Sequence, residues 1–291
     1  MSAPAARVLA LCVDDVGLVE GVAETALALA GAGRIRAASC VTNAPGWRAA
    51  AATLAAADAD ADAEASPELG LHFNLSEGAP LSADLRERWP RLPGLGRLLV
   101  ASHLGRLPLA AIGAELRAQA DAFADAIGRV PDFIDGHQHV HALPGIRTIV
   151  LDAVAAWPCA VAVRSTGRVA GPGAAFKRRI IEASGGRALA RALVARGIAH
   201  NRVLLGAYDF DPLDYRARMR GWLGAAPAEG GLLFCHPCAD ARDGAGDPIA
   251  AARRSEAAYL GSDAFGADLA KAGITIGPAW VQPVRRSSSA D

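Results

Sequence analysis

"RVLALCVDDVGL", Arg7 to Leu18, is the stretch on which the fold turns. Its apolar run, Arg7 to Val13, has the length and the continuity of a strand buried on both faces. Asp14 and Asp15 follow at once, and two adjacent carboxylates repel each other and resist burial. Successive side chains of a regular strand point to opposite faces, so both acids reach one site only if the chain bends there. Gly17 is placed to allow that turn. One carboxylate is then free to hold a metal while the other addresses a water beside it.

Working outward, short apolar runs alternate with longer alanine- and leucine-rich segments. The remaining candidate strands are Ile35–Thr42, Glu68–Leu75, Asp132–Val140, Ala160–Ser165, Arg202–Tyr208, Gly231–His236 and Ile274–Gly277. Glu20–Gly33 and Leu109–Gly128 carry helical apolar rhythms that end on glycine, as crossover helices do. Eight strands separated by helices predict an α/β fold, an irregular (β/α) TIM-like barrel in a single domain over residues 1–283. Residues 76–108, rich in Pro, Gly and Arg, are too long for an ordinary connection and read as a lid-like excursion. The acidic second half of the alanine-rich stretch before Pro67 reads as a solvated loop, and 284–291 as a disordered tail.

The chain of 291 residues is 52% hydrophobic, enough for a large core, and its 30 basic residues balance its 30 acidic ones. That balance gives no field to attract nucleic acid or an anionic membrane, so a small neutral substrate is expected. Zero net charge also favours self-association, here a homodimer. Five cysteines, most inside apolar runs, suit a reducing compartment, and the apolar N-terminal stretch is cut short by two acids before any cleavage site. No apolar run has transmembrane length, so a cytoplasmic protein is expected. "CHPC", Cys235 to Cys238, has redox or zinc spacing but no second pair to complete a four-thiolate site.

Chemistry in such barrels sits at the carboxyl ends of the strands. Asp14 and Asp15 end the first strand, Asn43 follows the second, and His72 and Asn74 close the third. Asp135, His137, His139 and His141 close the fourth, Arg164 the fifth and His236 the seventh, whereas His103 and His200 fall elsewhere. Alternation places Asp135, His137, His139 and His141 on one face, so at least one of these imidazoles can join His72 at a shared centre. An Asp with two His leaves coordination positions open for water and substrate, and suits a borderline ion such as zinc, nickel, cobalt or manganese. Such an ion acidifies water and polarises a carbonyl, the first needs of amide hydrolysis. A single strand-end histidine is ordinarily a structural residue, and Asn43, Asn74 and Arg164 are loop tethers or substrate contacts. His139 and His141 fit packing or ligand-supporting roles, and Trp47 either stacks on a sugar or packs under a loop.

"DDVGL", "GLHFNLSEGAPL", "DFIDGHQHVHALPGI" and "FCHPC", followed by the helix "ARRSEAAYL", resemble in sequence and order the YdjC-like carbohydrate deacetylases, from about Val8 to Pro278. That family includes chitooligosaccharide deacetylases and a hopanoid-biosynthesis branch. The resemblance implies an irregular (β/α) barrel, one divalent metal, commonly magnesium or zinc, and removal of acetyl groups from N-acetylated sugars. By position, it implies Asp15, His72 and His137 as metal ligands and Asp14 as the base. His236 matches the family's late histidine, a candidate acid or oxyanion stabiliser. Strand-end placement, apart from the resemblance, makes Asn43, Asn74 and Arg164 the expected substrate contacts and Asp135 and His139 the expected supports for the ligands. The chain has Val16 where many relatives have Phe, and Cys238 where a small residue is common.

The leading expectation is therefore a metal-dependent deacetylase acting on an N-acetylated amino sugar, free or attached to a larger glycan or lipid. A phosphoesterase or cyclic amidase on the same barrel would keep the metal and change the bond, and phosphate would call for more strand-end cations than Arg164. A sugar-binding protein with a chemically silent site is the third reading.

Overall fold

The computed structural model describes residues 7–60, 66–243 and 246–283. The acidic loop before Pro67 and the tail at 284–291 lie wholly or mostly outside them. The strands are β1 (Arg7–Val16), β2 (Ala37–Cys40), β3 (Glu68–Phe73), β4 (Phe133–Gly136), β5 (Ala162–Val163), β6 (Val203–Leu205), β7 (Gly231–Cys235) and β8 (Ile274–Ile276). The first six helices are α1 (Val22–Gly31), α2 (Trp47–Asp60), α3 (Ala83–Arg88), α4 (Leu95–His103), α5 (Leu109–Ile127) and α6 (Ile146–Ala156). The rest are α7 (Ala175–Ile181), α8 (Arg187–Arg196), α9 (Tyr215–Ala225), α10 (Ala250–Leu260) and α11 (Asp263–Ala272).

All strand pairs are parallel, in the order β5-β4-β3-β2-β1-β7-β6, with β8 on β1. The sheet curls without closing as the eight-stranded TIM-like barrel expected from the sequence. Leu9 of β1 pairs with both Gly231 of β7 and Ile276 of β8, so β8 does not sit between β7 and β1. β5 and β6, of two and three residues, do not pair with each other, and among the described residues the single bridges Val163–His200 and Val169–Leu204 cross that side.

β1 is central because its apolar residues serve both faces. Leu9, Leu11 and Val13 pack outward with Val22, Ala26 and Leu29 of α1. Ala10 and Cys12 turn inward, where they meet Ala37, Phe133, Leu232 and Phe234. Small residues make room for the inner rings: a Cβ at Gly70 would come within 2.2 Å of the Phe133 side chain. Truncating a buried ring of this kind costs about 3–5 kcal/mol.

The 76–108 stretch contains α3 and α4, whose Leu85 and Leu98 are buried. Glu115 of α5 accepts the backbone N–H groups of Leu81 (3.0 Å) and Ser82 (2.7 Å), holding the start of this stretch down. No helix among the described residues is long and apolar enough to cross a membrane.

Candidate active site

The inner face changes character toward the strand ends. Above the floor of Ala10, Cys12, Phe133 and Phe234, the same side of the sheet carries Asp14, Ser39, His72 and Asp135, with Arg164 and His236 just beyond β5 and β7. Asp14 continues the inward parity of Ala10 and Cys12. Asp15 breaks it: between Val13 and Val16, β1 spends one residue more than β2 spends between Ala38 and Cys40. A bulge of this kind re-aims a side chain. The strain sits on Asp15 itself, at φ 68°, and Gly17, at φ 88°, completes the turn. Both carboxylates consequently line one cavity of about 1120 Å³.

Their partners differ. Arg164 donates to both oxygens of Asp14, each at 2.6 Å, and lies 2.5 Å from Asp135 and 3.1 Å from the Cys12 sulfur. The guanidinium is fully buried, and Asp135 and Asp14 hold its pKa well above the ordinary value against the burial that opposes it. Cys12, Asp14 and Asp135 are close enough together to hold an ion, but the Arg164 guanidinium already contacts all three.

Asp15 faces two imidazoles. Its Oδ1 is 3.0 Å from His137 Nδ1 and 3.6 Å from His72 Nε2, while Oδ2 accepts from Arg253 at 2.8 Å. Burial alone would raise the Asp15 pKa, yet His137, His236 and Arg253 pull it well below the usual carboxylate range. Nδ1 of His72 donates to Asp135 Oδ1 at 2.6 Å, and Ser39 donates to the same oxygen at 2.6 Å. That orientation aims His72 Nε2 at Asp15, the arrangement that positions an imidazole to bind a metal.

Ligand atoms of Asp15, His72 and His137 lie within 4.8 Å of one another, and all three residues are buried. One carboxylate and two imidazoles fit a borderline divalent ion better than magnesium, which prefers oxygen ligands.

His236 projects between aromatic edges, with ring centroids 5.1 Å from Phe210 and 5.6 Å from Phe234. Burial pushes its pKa down to about 4 despite Asp15 and Asp14, so it rests neutral at neutral pH. Its backbone N–H donates to Glu256 at 2.5 Å, and the Tyr208 hydroxyl donates to the other oxygen of that carboxylate.

The family model for YdjC-like proteins matches residues 8–271. The chain belongs to the YdjC-like family. It is 35% identical over 167 residues to the human carbohydrate deacetylase, covering 54% of this chain and 48% of that one. It is 41% identical over 86 residues to a carbohydrate deacetylase of Danio rerio, covering 28% of each. A chitooligosaccharide deacetylase of Enterobacter sp. (strain 638) is 38% identical over 89 residues, covering 28% of this chain and 32% of that one. These matches span less than half the length of each relative. In fold, the chain is similar to a proposed cellobiose-phosphate cleavage protein of Enterococcus faecalis V583, with a TM-score of 0.70 at 15% identity, covering 94% of this chain and 98% of that one.

The histidine block of this YdjC-like chain departs from the expected alternation. β4 stops at Gly136, where a Cβ would lie 2.9 Å from the His141 backbone nitrogen, and Gln138 and His139 take left-handed conformations at φ 52° and 63°. The three histidines therefore diverge. His137 reaches Asp15, and His139 meets the Phe234 ring edge-on at 5.3 Å. His141 donates from Nε2 to the Arg164 carbonyl at 2.8 Å, and burial pushes its pKa down to about 4.

Three expected substrate contacts lie away from the cavity wall. Arg164 sits beneath the site rather than in it, because its charge is spent on Asp14 and Asp135. Asn74 is buried and folds the loop that follows it: its Oδ1 accepts from Ser76 and Glu77, and its Nδ2 donates to Asn43 and Glu77. Asn43 donates in turn to the Ala79 carbonyl at 3.2 Å.

That loop delivers a carboxylate which the sequence reading missed. Glu77 lies 3.1 Å from His137 Nε2 and accepts from Gln138 at 3.2 Å. Burial lowers the His137 pKa, but Asp15 and Glu77 outweigh it and raise the value to about 10. Arg253 was missed too, although "ARRSEAAYL" contains it; it ties Asp15 to Asp247 (2.8 Å) and to the His236 carbonyl (3.3 Å). The signal for both was present as charged residues inside motifs already singled out, but off the strand ends.

Proposed function

We propose that the chain hydrolyses the acetamide of an N-acetylated amino sugar with the help of one divalent ion held by Asp15, His72 and His137. The observation that carries this reading is the division of the adjacent acids: Asp14 is clasped by Arg164, and Asp15 is shared with two imidazoles in the same cavity. Carbohydrate and chitooligosaccharide deacetylases among the partial-length relatives support the substrate class. A bound ion would supply Lewis acidity, acidifying water and polarising the acyl oxygen.

The protein's own groups do the rest. Asp14, fixed by Arg164, takes a proton from the attacking water and returns it to the departing amine. His236 enters neutral, so its role is to donate an N–H to the acyl oxygen as negative charge builds there. Hydrolysis breaks the C–N bond and releases acetate and the free amino sugar. The test is acetate release from N-acetylglucosamine oligomers by metal-replete protein, with loss on chelation. Absence of release across a panel of acetamido sugars would remove the substrate class.

A further inference from the structure

The catalytic groups leave an aromatic corner of the cavity unexplained. Phe210, Phe234, His139 and His236 line it beside Asp14, Asp15 and His72. Phe234 touches both imidazoles edge-on, and Phe210 closes the far side of His236. Neither phenyl ring has a part in proton transfer.

Phe210 is held there against its own backbone preference. Its φ is 60°, a left-handed conformation that a bulky aromatic residue rarely adopts. The flanking sequence "YDFDP" explains how it persists. Asp209 and Asp211, on either side of Phe210, both reach Arg218 of α9, at 3.4 and 3.3 Å. Two acids pulled toward one guanidinium pinch the chain between them, and the pinched residue is thrust into the cavity. Lys177 of α7 completes the clamp, with its ammonium 4.7 Å from the Phe210 ring centroid and donating to the Tyr208 carbonyl at 2.7 Å. The Tyr208 ring packs at 4.9 Å.

Strain that the surroundings maintain at a cavity wall marks a side chain whose position matters. An apolar wall against the histidine that faces the acyl oxygen suits the part of the substrate that has no hydrogen bonds to offer, the acyl methyl. We infer that Phe210, with Phe234, forms the acyl pocket and limits the chain to small acyl groups, so that Phe210 determines acyl-chain specificity. This rests on the amide-hydrolase reading above and adds to it which acyl groups are accepted. Asp209, Asp211 and Arg218 then act as positioning residues through the ring.

One glucosamine oligomer carrying N-acetyl, N-propionyl or N-butyryl groups tests this, with kcat/KM followed by release of the free amine. A pocket that excludes one methylene discriminates by about 10–200-fold. The wild type should prefer acetyl over propionyl by about tenfold or more, and Phe210→Ala should narrow that ratio to within about threefold. Phe210→Leu, which keeps an apolar side chain, should give an intermediate ratio and serves if the alanine variant folds poorly. Arg218→Gln should shift the ratio in the same direction by releasing the pinch. A purely structural role would lower all three rates together and leave the ratio unchanged, and that result overturns the inference. No release from any of the three overturns the amide-hydrolase reading and this inference with it.

Discussion

The two histidines that face Asp15 are held by the same device in two different materials. His72 stands on β3, with its outer nitrogen on Asp135, which is fully buried on the neighbouring strand and braced by Ser39 and Arg164. His137 stands on an irregular turn, with its outer nitrogen on Glu77, whose side chain is 46% exposed on a loop tied down by Asn74. One carboxylate–imidazole pair is fixed by sheet register, and the other by a loop. The first is enclosed on all sides by buried partners, and the second leans on a half-exposed side chain. The Asp14–Arg164 pair belongs to the half fixed by sheet register, so the proposed base is a buried carboxylate held at both oxygens.

The largest effect should come from the half fixed by sheet register. Asp14→Asn, nearly isosteric, should cut acetate release by about 100- to 10,000-fold, measured as kcat with the thermal unfolding midpoint as a control for folding. Next comes the direct contrast between the supporting carboxylates. Asp135→Asn should weaken divalent-ion binding by about 100-fold and Glu77→Gln by about tenfold, read by calorimetric titration of the chelated protein. Equal losses would break the distinction between strand and loop.

The smallest effect is one of pH on the stability of chelated protein, where His137 and the buried His141 and His236 have opposite signs. His137 has a folded pKa raised to about 10, so its contribution is complete below the ordinary histidine value near 6.5 and is lost as pH rises through about 10. His141 and His236 have folded values lowered to about 4, so the unfolded chain binds more protons between about 4 and 6.5, and stability falls as pH drops through that window. Asp135, held low by Arg164 and His72 against burial, adds to the loss at still lower pH. Glu77→Gln should flatten the alkaline limb of a denaturation series and leave the acidic limb in place.

Much of the half fixed by sheet register was legible in the sequence. β1 announces itself as an apolar run, and polar residues at strand ends mark a site because burial needs a reason. The roles within it were less legible, since nothing in one dimension shows that Arg164 pairs with Asp14 at a separation of 150 residues. The loop half was misread for a local reason. Gln138 and His139 turn left-handed without a glycine to signal it, so a period-two reading ran past the true end of β4. Glu77 and Arg253 escaped because they come from a loop and a helix, where the rule about strand ends does not look. The eighth strand was correctly found as a strand, but its partner depends on which edge of β1 remains open, a tertiary fact.

The most direct test returns one divalent ion to chelated protein while acetate release from N-acetylglucosamine oligomers is followed, with Asp14→Asn in parallel. The account predicts that wild-type release rises with added ion and levels off near one ion per chain, while Asp14→Asn takes up the ion with the same stoichiometry and releases almost no acetate. Release by the wild type without any ion, or an Asp14→Asn variant as active as the wild type, would contradict it.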